Sequence, residues 1–117
     1  MAATLIDTSV WIAHLRSTHE TLTELLREGA VLTHPAVIGE LACGSLKNRQ
    51  EFLENLSRLK SVTEAETEEV MEFIERQKLH GKGIGWIDAQ LLTSCLLTDC
   101  KILTLDKKLA HIAAKIL

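Results

Sequence analysis

A short apolar run that stops at a lone carboxylate constrains this chain more than any other feature. Leu5-Ile6 leads into Asp7, and Thr8-Ser9-Val10-Trp11-Ile12 follows with a cap-forming pair and an amphipathic start. The pattern predicts strand, turn and helix. A strand without polar alternation belongs in a sheet covered on both faces, the usual setting of parallel α/β sheets. Asp7 then stands at the carboxyl end of a central strand, where open α/β sheets place their ligands. The competing reading is that Asp7 only caps the helix, a common task for Asp, Thr and Ser. Three later carboxylates in similar surroundings, Glu40, Asp88 and Asp106, favour the ligand reading.

The 117 residues predict one domain spanning residues 1–117, with room for a real core. Thirteen Lys and Arg against sixteen Asp and Glu leave a formal charge of −3, without the global basic excess typical of nucleic-acid binders. A basic rim around an acidic, metal-filled centre is still compatible with that total. Cys43, Cys95 and Cys100 are odd in number and form no CxxC pair, which predicts reduced, largely buried thiols rather than a disulfide framework or zinc site. The N-terminus has no basic region before Asp7, and no apolar run approaches the roughly 20 residues of a membrane span. These features predict a soluble, cytoplasmic protein with no membrane partner.

Strands and helices alternate along the rest of the chain. Ser17-Thr18-His19-Glu20 has a capping-box form ahead of Leu22, Leu25 and Leu26. Ala30-Val31-Leu32-Thr33 reads as a strand entering a helix over residues 36–43, with Pro35 near its first turn and Glu40 as its one charged residue. Residues 48–51 cap a further helix with a Phe52, Leu53, Leu56 and Leu59 stripe. Ser61-Val62 reads as a brief edge strand, and Thr63 with Glu66 opens the next helix. The acids Glu64, Glu66, Glu68, Glu69, Glu72 and Glu75 read as a solvated face. Gly81-Lys82-Gly83-Ile84-Gly85 is a loop without Walker spacing, ahead of an apolar helix over residues 86–97 that carries Asp88 in its first turn. Lys101-Ile102-Leu103-Thr104-Leu105-Asp106 repeats the opening pattern, and a last helix closes the chain. The alternation predicts right-handed crossovers and a parallel sheet between helical layers.

Asp7, Glu40, Asp88 and Asp106 differ from the other acids in having apolar or small neighbours. An ionised carboxylate in such a place must be paired, hydrogen-bonded, protonated or metal-bound. Few Lys or Arg fall within these segments. If the four converge, they make a hard, oxygen-rich site suited to Mg²⁺ or Mn²⁺. Phosphodiester hydrolysis is the natural chemistry of such a site.

The segments around these acids resemble the motifs of PIN-domain ribonucleases, most closely the VapC-type toxins of toxin-antitoxin pairs. The resemblance rests on Leu5-Ile6-Asp7-Thr8-Ser9-Val10-Trp11-Ile12, on Gly39-Glu40-Leu41-Ala42-Cys43-Gly44, on Trp86-Ile87-Asp88-Ala89 and on Thr104-Leu105-Asp106, in this order across almost the whole chain. It implies a three-layer α/β/α sandwich with a parallel four- or five-stranded sheet, and a Mg²⁺- or Mn²⁺-dependent endoribonuclease acting on RNA. It also implies a homodimer and a cognate antitoxin that blocks the site. Asp7, Glu40, Asp88 and Asp106 would be the catalytic metal ligands, with Thr8, Ser9 and Thr104 as hydroxyls that orient carboxylates or water. The chain departs from many relatives in having Leu109 where they carry an aromatic residue, and in showing no clear final strand.

Arg16, Lys82, Lys107 and Lys108 are candidates to line an RNA path. The five histidines show no ligand spacing and read as surface or capping residues. Trp11 and Trp86 read as core or dimer packing rather than base-stacking platforms. An aspartyl-phosphate phosphatase needs a second Asp where Ser9 stands, and a response-regulator receiver needs paired acids where Ile6 and Thr8 flank Asp7. The remaining rival is a catalytically silent PIN-like binding module acting through protein partners.

Overall fold

Four parallel strands share one sheet, in the order β3-β2-β1-β4, in a computed structural model that describes residues 2–117. The elements run β1 (Thr4–Ile6), α1 (Thr8–Arg16), α2 (Glu20–Arg27), β2 (Val31–Thr33), α3 (Pro35–Ala42) and α4 (Arg49–Ser57). They continue with β3 (Lys60–Ser61), α5 (Thr67–Gln77), α6 (Trp86–Thr98), β4 (Lys101–Leu103) and α7 (Lys107–Ile116). The expected α/β architecture, a parallel sheet flanked by helices, is observed. The sheet has four strands among the described residues, and the C-terminal stretch is helix rather than a fifth strand.

The apolar strands explain the layering. Leu5 and Ile6 are fully buried and Val31 and Leu32 nearly so, so β1 and β2 must be covered on both faces. Each such side chain contributes about 1.5–3 kcal/mol when removed from water. The main core joins these strands to Val10 and Trp11 of α1, Leu22 and Leu25 of α2, Val37 and Leu41 of α3, Leu56 of α4, and Leu91 and Cys95 of α6. A second cluster unites Phe73 of α5, Leu92 of α6, and Leu109 and Ala113 of α7 with Leu79. Leu109 thus serves as a core anchor of the last helix.

The chain winds from β1 outward through β2 to β3, then returns to add β4 on the other side of β1. Strand order therefore reverses between β1 and β4, and open α/β sheets form their crevice at the carboxyl ends of such a pair. Asp7 follows β1 and residues 104–106 follow β4, so both segments meet there.

Several local expectations are corrected. The cap of α2 is His19, whose Nδ1 accepts from the Leu22 N–H, rather than a Ser17 capping box. The helix expected to open at Thr63 begins at Thr67, where Glu66 and Glu69 form the reciprocal capping box. Asn48 precedes α4 in a left-handed conformation and makes no side-chain cap. The edge strand is Lys60–Ser61, one residue earlier than read. Cys95 and Cys100 are buried free thiols as expected, but Cys43 is exposed. The predicted solvated acidic face is observed, with Glu72 paired to Arg76. Among the described residues no helix is long and apolar enough to cross a membrane.

Candidate active site

Asp7 is 8% exposed and both of its carboxylate oxygens are engaged. Oδ1 accepts from the Thr8 N–H at 2.8 Å, which caps α1. Oδ2 accepts from the Ser9 hydroxyl at 2.8 Å and from the Thr104 hydroxyl at 2.6 Å. Asp7 therefore caps α1 with one oxygen and is tied by the other to hydroxyls from two distant segments. The chain makes this local geometry by ending β1 at Ile6 and starting α1 at Thr8, which leaves Asp7 extended at the helix N-terminus.

The β4–α7 turn is tied to the same point. The Asp106 N–H donates to Thr104 Oγ1 at 3.1 Å, and Thr104 passes its own proton toward Asp7. The Leu105 N–H donates to Ser9 Oγ at 3.0 Å, and Ser9 likewise donates to Asp7. Asp106 is not the last residue of the strand, as the sequence pattern suggested. It caps α7, accepting at Oδ1 from the Lys108 and Leu109 N–H groups at 2.9 and 3.1 Å.

Glu40 reaches the cluster from α3. Its Oε1 accepts from the Thr8 hydroxyl at 2.7 Å, so Thr8 orients Glu40 whereas Ser9 and Thr104 orient Asp7. Asp88 lies in the first turn of α6. Burial raises its carboxyl above the ordinary range, and the charge of Asp7 raises it further. Asp106 and Glu40 push in the same direction, while a hydrogen bond from the Gly85 backbone partly offsets them. The charges of all three other acids thus reach Asp88.

Among the described residues no three His, Cys, Asp or Glu side chains form a ready-made metal shell. The donor set nevertheless fits a hard divalent cation: it is all oxygen, and its members disfavour one another's charge at Asp88.

The four candidate cations are all exposed but do not act as one group. Lys82 and Lys108 line a common cleft, Lys107 lies outside its lining, and Arg16 sits at the far end of α1 from the acids. His111 and Lys115, which were not among the candidates from the sequence, line the same cleft. Their spacing from Lys108 along one helix was the available signal. Two of the histidines are caps, His19 on α2 and His34 on α3, and His14 accepts from the His19 N–H at 3.0 Å. Trp11 is core, edge-on to Phe52 at 5.9 Å, whereas Trp86 is 44% exposed and not core.

This chain, in which Thr104 ties Asp7 to the Asp106 turn at the β1/β4 reversal, is matched by a PIN-domain family model over residues 4–115, and it belongs to the PIN-domain family. Within it, the chain is a VapC-type member. It is 41% identical over 112 residues to ribonuclease VapC32 of Mycobacterium tuberculosis, in strains CDC 1551 / Oshkosh and ATCC 25618 / H37Rv. That match covers 95% of this chain and 90% of the relative. A crystal structure of PAE2754 from Pyrobaculum aerophilum superposes with a TM-score of 0.65, covering 96% of this chain and 80% of that one. At 14% identity it supports the fold alone.

Proposed function

We propose that this chain is a Mg²⁺- or Mn²⁺-dependent endoribonuclease that hydrolyses RNA phosphodiester bonds as the toxin of a toxin-antitoxin pair. The observation that carries the reading is the hydroxyl network that ties Asp7 to the Asp106 turn through Thr104, with Glu40 held by Thr8, at the strand-order reversal of a VapC-type chain. Asp7, Glu40, Asp88 and Asp106 would hold the ion. When bound, such an ion supplies Lewis-acid activation of water and neutralises charge on the phosphate.

The protein's own groups prepare this centre. Ser9 and Thr104 both donate to Asp7 Oδ2 and hold it in one orientation. Thr8 aims Glu40, and the N-terminus of α7 fixes Asp106. Because these bonds exist within the protein, little side-chain freedom remains to be lost when substrate arrives.

The same reading brings a cognate antitoxin that blocks the site, and a homodimer. Ile12 and Leu15 on α1 are 38% and 45% exposed, and with Trp86 they offer apolar surface for such partners. Val10 and Trp11 of the same helix belong to the core.

The binding-module reading draws on one observation, the lack of a closed metal shell among the described residues. A single experiment separates the two: incubation of a structured RNA with the protein and Mn²⁺, with and without EDTA. Cleavage that requires the metal supports the enzyme. Cleavage that persists in EDTA overturns the metal mechanism, and no cleavage together with no Mn²⁺ binding favours the module.

A further inference from the structure

A cleft of about 450 Å³ opens between α7 and the loop of residues 78–85, lined by three lysines and a histidine and by no acid. In a chain of net charge −3 that concentration of one sign is unusual. Lys108, His111 and Lys115 stand at helical spacing on one face of α7, so the two lysines span about 10 Å along the axis. Lys82 projects from the opposite wall. Among the described residues none of the three lysines is paired with a carboxylate. Lys108 does not simply extend into water, because it packs against Gly83, whose φ of +85° suits glycine. A Cβ at Gly83 would lie 2.8 Å from the Lys108 Cδ and 3.0 Å from its Nζ, so the ammonium is held over the loop. Leu79, Ile112 and Ile116 give the cleft apolar surface.

Both walls lead to the acids. Helix α7 starts at the residue after Asp106, and the loop ends at Gly85, the cap of the helix that carries Asp88. A polyanion whose reacting phosphate lies at four carboxylates needs cations alongside, and this exit supplies them without an opposing acid.

We propose that this cleft holds the phosphate backbone of single-stranded RNA adjoining the scissile bond, with Lys82, Lys108 and Lys115 as the phosphate contacts and His111 as a hydrogen-bond donor. The apolar side chains would take the face of a ribose or base. The proposal deepens the ribonuclease reading and rests on it for why the strand is there. The binding itself is measurable without turnover.

The test is the salt dependence of binding of a fluorescein-labelled oligouridylate, read by anisotropy in EDTA so that no cleavage occurs. For the Lys82→Ala/Lys108→Ala/Lys115→Ala variant, the slope of log affinity against log salt should fall by about 2, since each lost contact to a single strand removes about 0.7. Lys60→Ala, at the opposite edge of the sheet, should leave the slope unchanged. If the triple variant loses its helical circular dichroism, Lys115→Ala alone carries the test, with an expected fall of about 0.7. An unchanged slope in a folded variant overturns the proposal. So does unchanged RNA binding with loss of polyglutamate binding, which would assign the cleft to an acidic protein segment. Metal-dependent cleavage by the unaltered chain is scored separately, so the ribonuclease reading can fail while the cleft result stands.

Discussion

The Thr104 hydroxyl donates to Asp7 Oδ2 at 2.6 Å across 97 positions of sequence, and this contact fastens the end of β4 to the end of β1. The two strands pair in parallel from Thr4 and Lys101 to Ile6 and Leu103, which delivers both residues to the same edge. Ser9 makes the second link, accepting from Leu105 while donating to Asp7. The orientation of one carboxylate thus depends on two hydroxyls from opposite ends of the chain.

Thr104→Val should reduce RNA cleavage about 10- to 100-fold, the usual cost of removing a group that orients a metal-binding carboxylate. The shape is kept while a donor to a charged acceptor is lost, so the fold should survive. Paired kcat/KM and Mn²⁺ titrations check this, and wild-type values in both would remove Thr104 from the site.

Asp7→Asn should abolish turnover with the fold intact. The substitution removes one negative charge from the group that raises Asp88, and an amide Oδ1 can still cap α1. Cleavage assays beside circular dichroism decide the matter. Near-normal activity with unchanged metal affinity would contradict the role proposed for Asp7.

Cleavage should leave a 5′-phosphate and a 3′-hydroxyl. A ribonuclease using the ribose 2′-hydroxyl usually relies on His as base and acid and yields a cyclic phosphate. Here His19 and His34 are engaged through Nδ1 as helix caps, and His14 accepts a backbone N–H. Mass analysis of the new ends tests the expectation, and cyclic phosphate ends would sink it.

Stability should fall on mild acidification through His34. Burial lowers its proton affinity below the ordinary 6.5, with the charge of Glu64 partly opposing, and its Nδ1 accepts from the Ala36 N–H to cap the helix that carries Glu40. The unfolded chain therefore binds this proton more tightly. The contribution is complete above pH 6.5 and is lost as pH drops from there toward the lowered folded value. The loss from this one group is at most about 1.4 kcal/mol per pH unit. Urea unfolding at about pH 7.5 and about pH 5.5 should show it, and His34→Asn, which caps without titrating, should flatten that part of the profile. Equal slopes in the two proteins would exclude His34 as the source.

The four candidate acids stand out in the sequence because each lies among apolar or small residues, where an unpartnered charge is costly. The β1 segment was legible for the complementary reason that its apolar run cannot face water, whereas β4, a partly exposed edge strand, was legible by repeating the pattern of an apolar run followed by an acid. Alternating strands and helices imply right-handed crossovers and covered faces, so the α/β class was also readable, whereas the order β3-β2-β1-β4 was not. Division of labour among the hydroxyls was not: Thr8 and Ser9 are adjacent, and only the approach of α3 to α1 assigns Thr8 to Glu40 and frees Ser9 for Asp7. The place of Asp106 was also undetermined, since strand and cap signals overlap in Thr104-Leu105-Asp106 and pairing with β1 ends at Leu103.

Sequence by itself thus determined which residues had to find polar partners and which runs had to be buried, because those are properties of single side chains and short periods. Tertiary structure alone decided which partners they found. The Asp7–Thr104 contact, the coupling of Asp88 to three other acids and the facing of Lys82 to Lys108 all join segments distant in the chain. Hydrogen bonds act over about 3 Å and charges over several more, so their pairing is fixed only when the sheet register and helix packing set those distances.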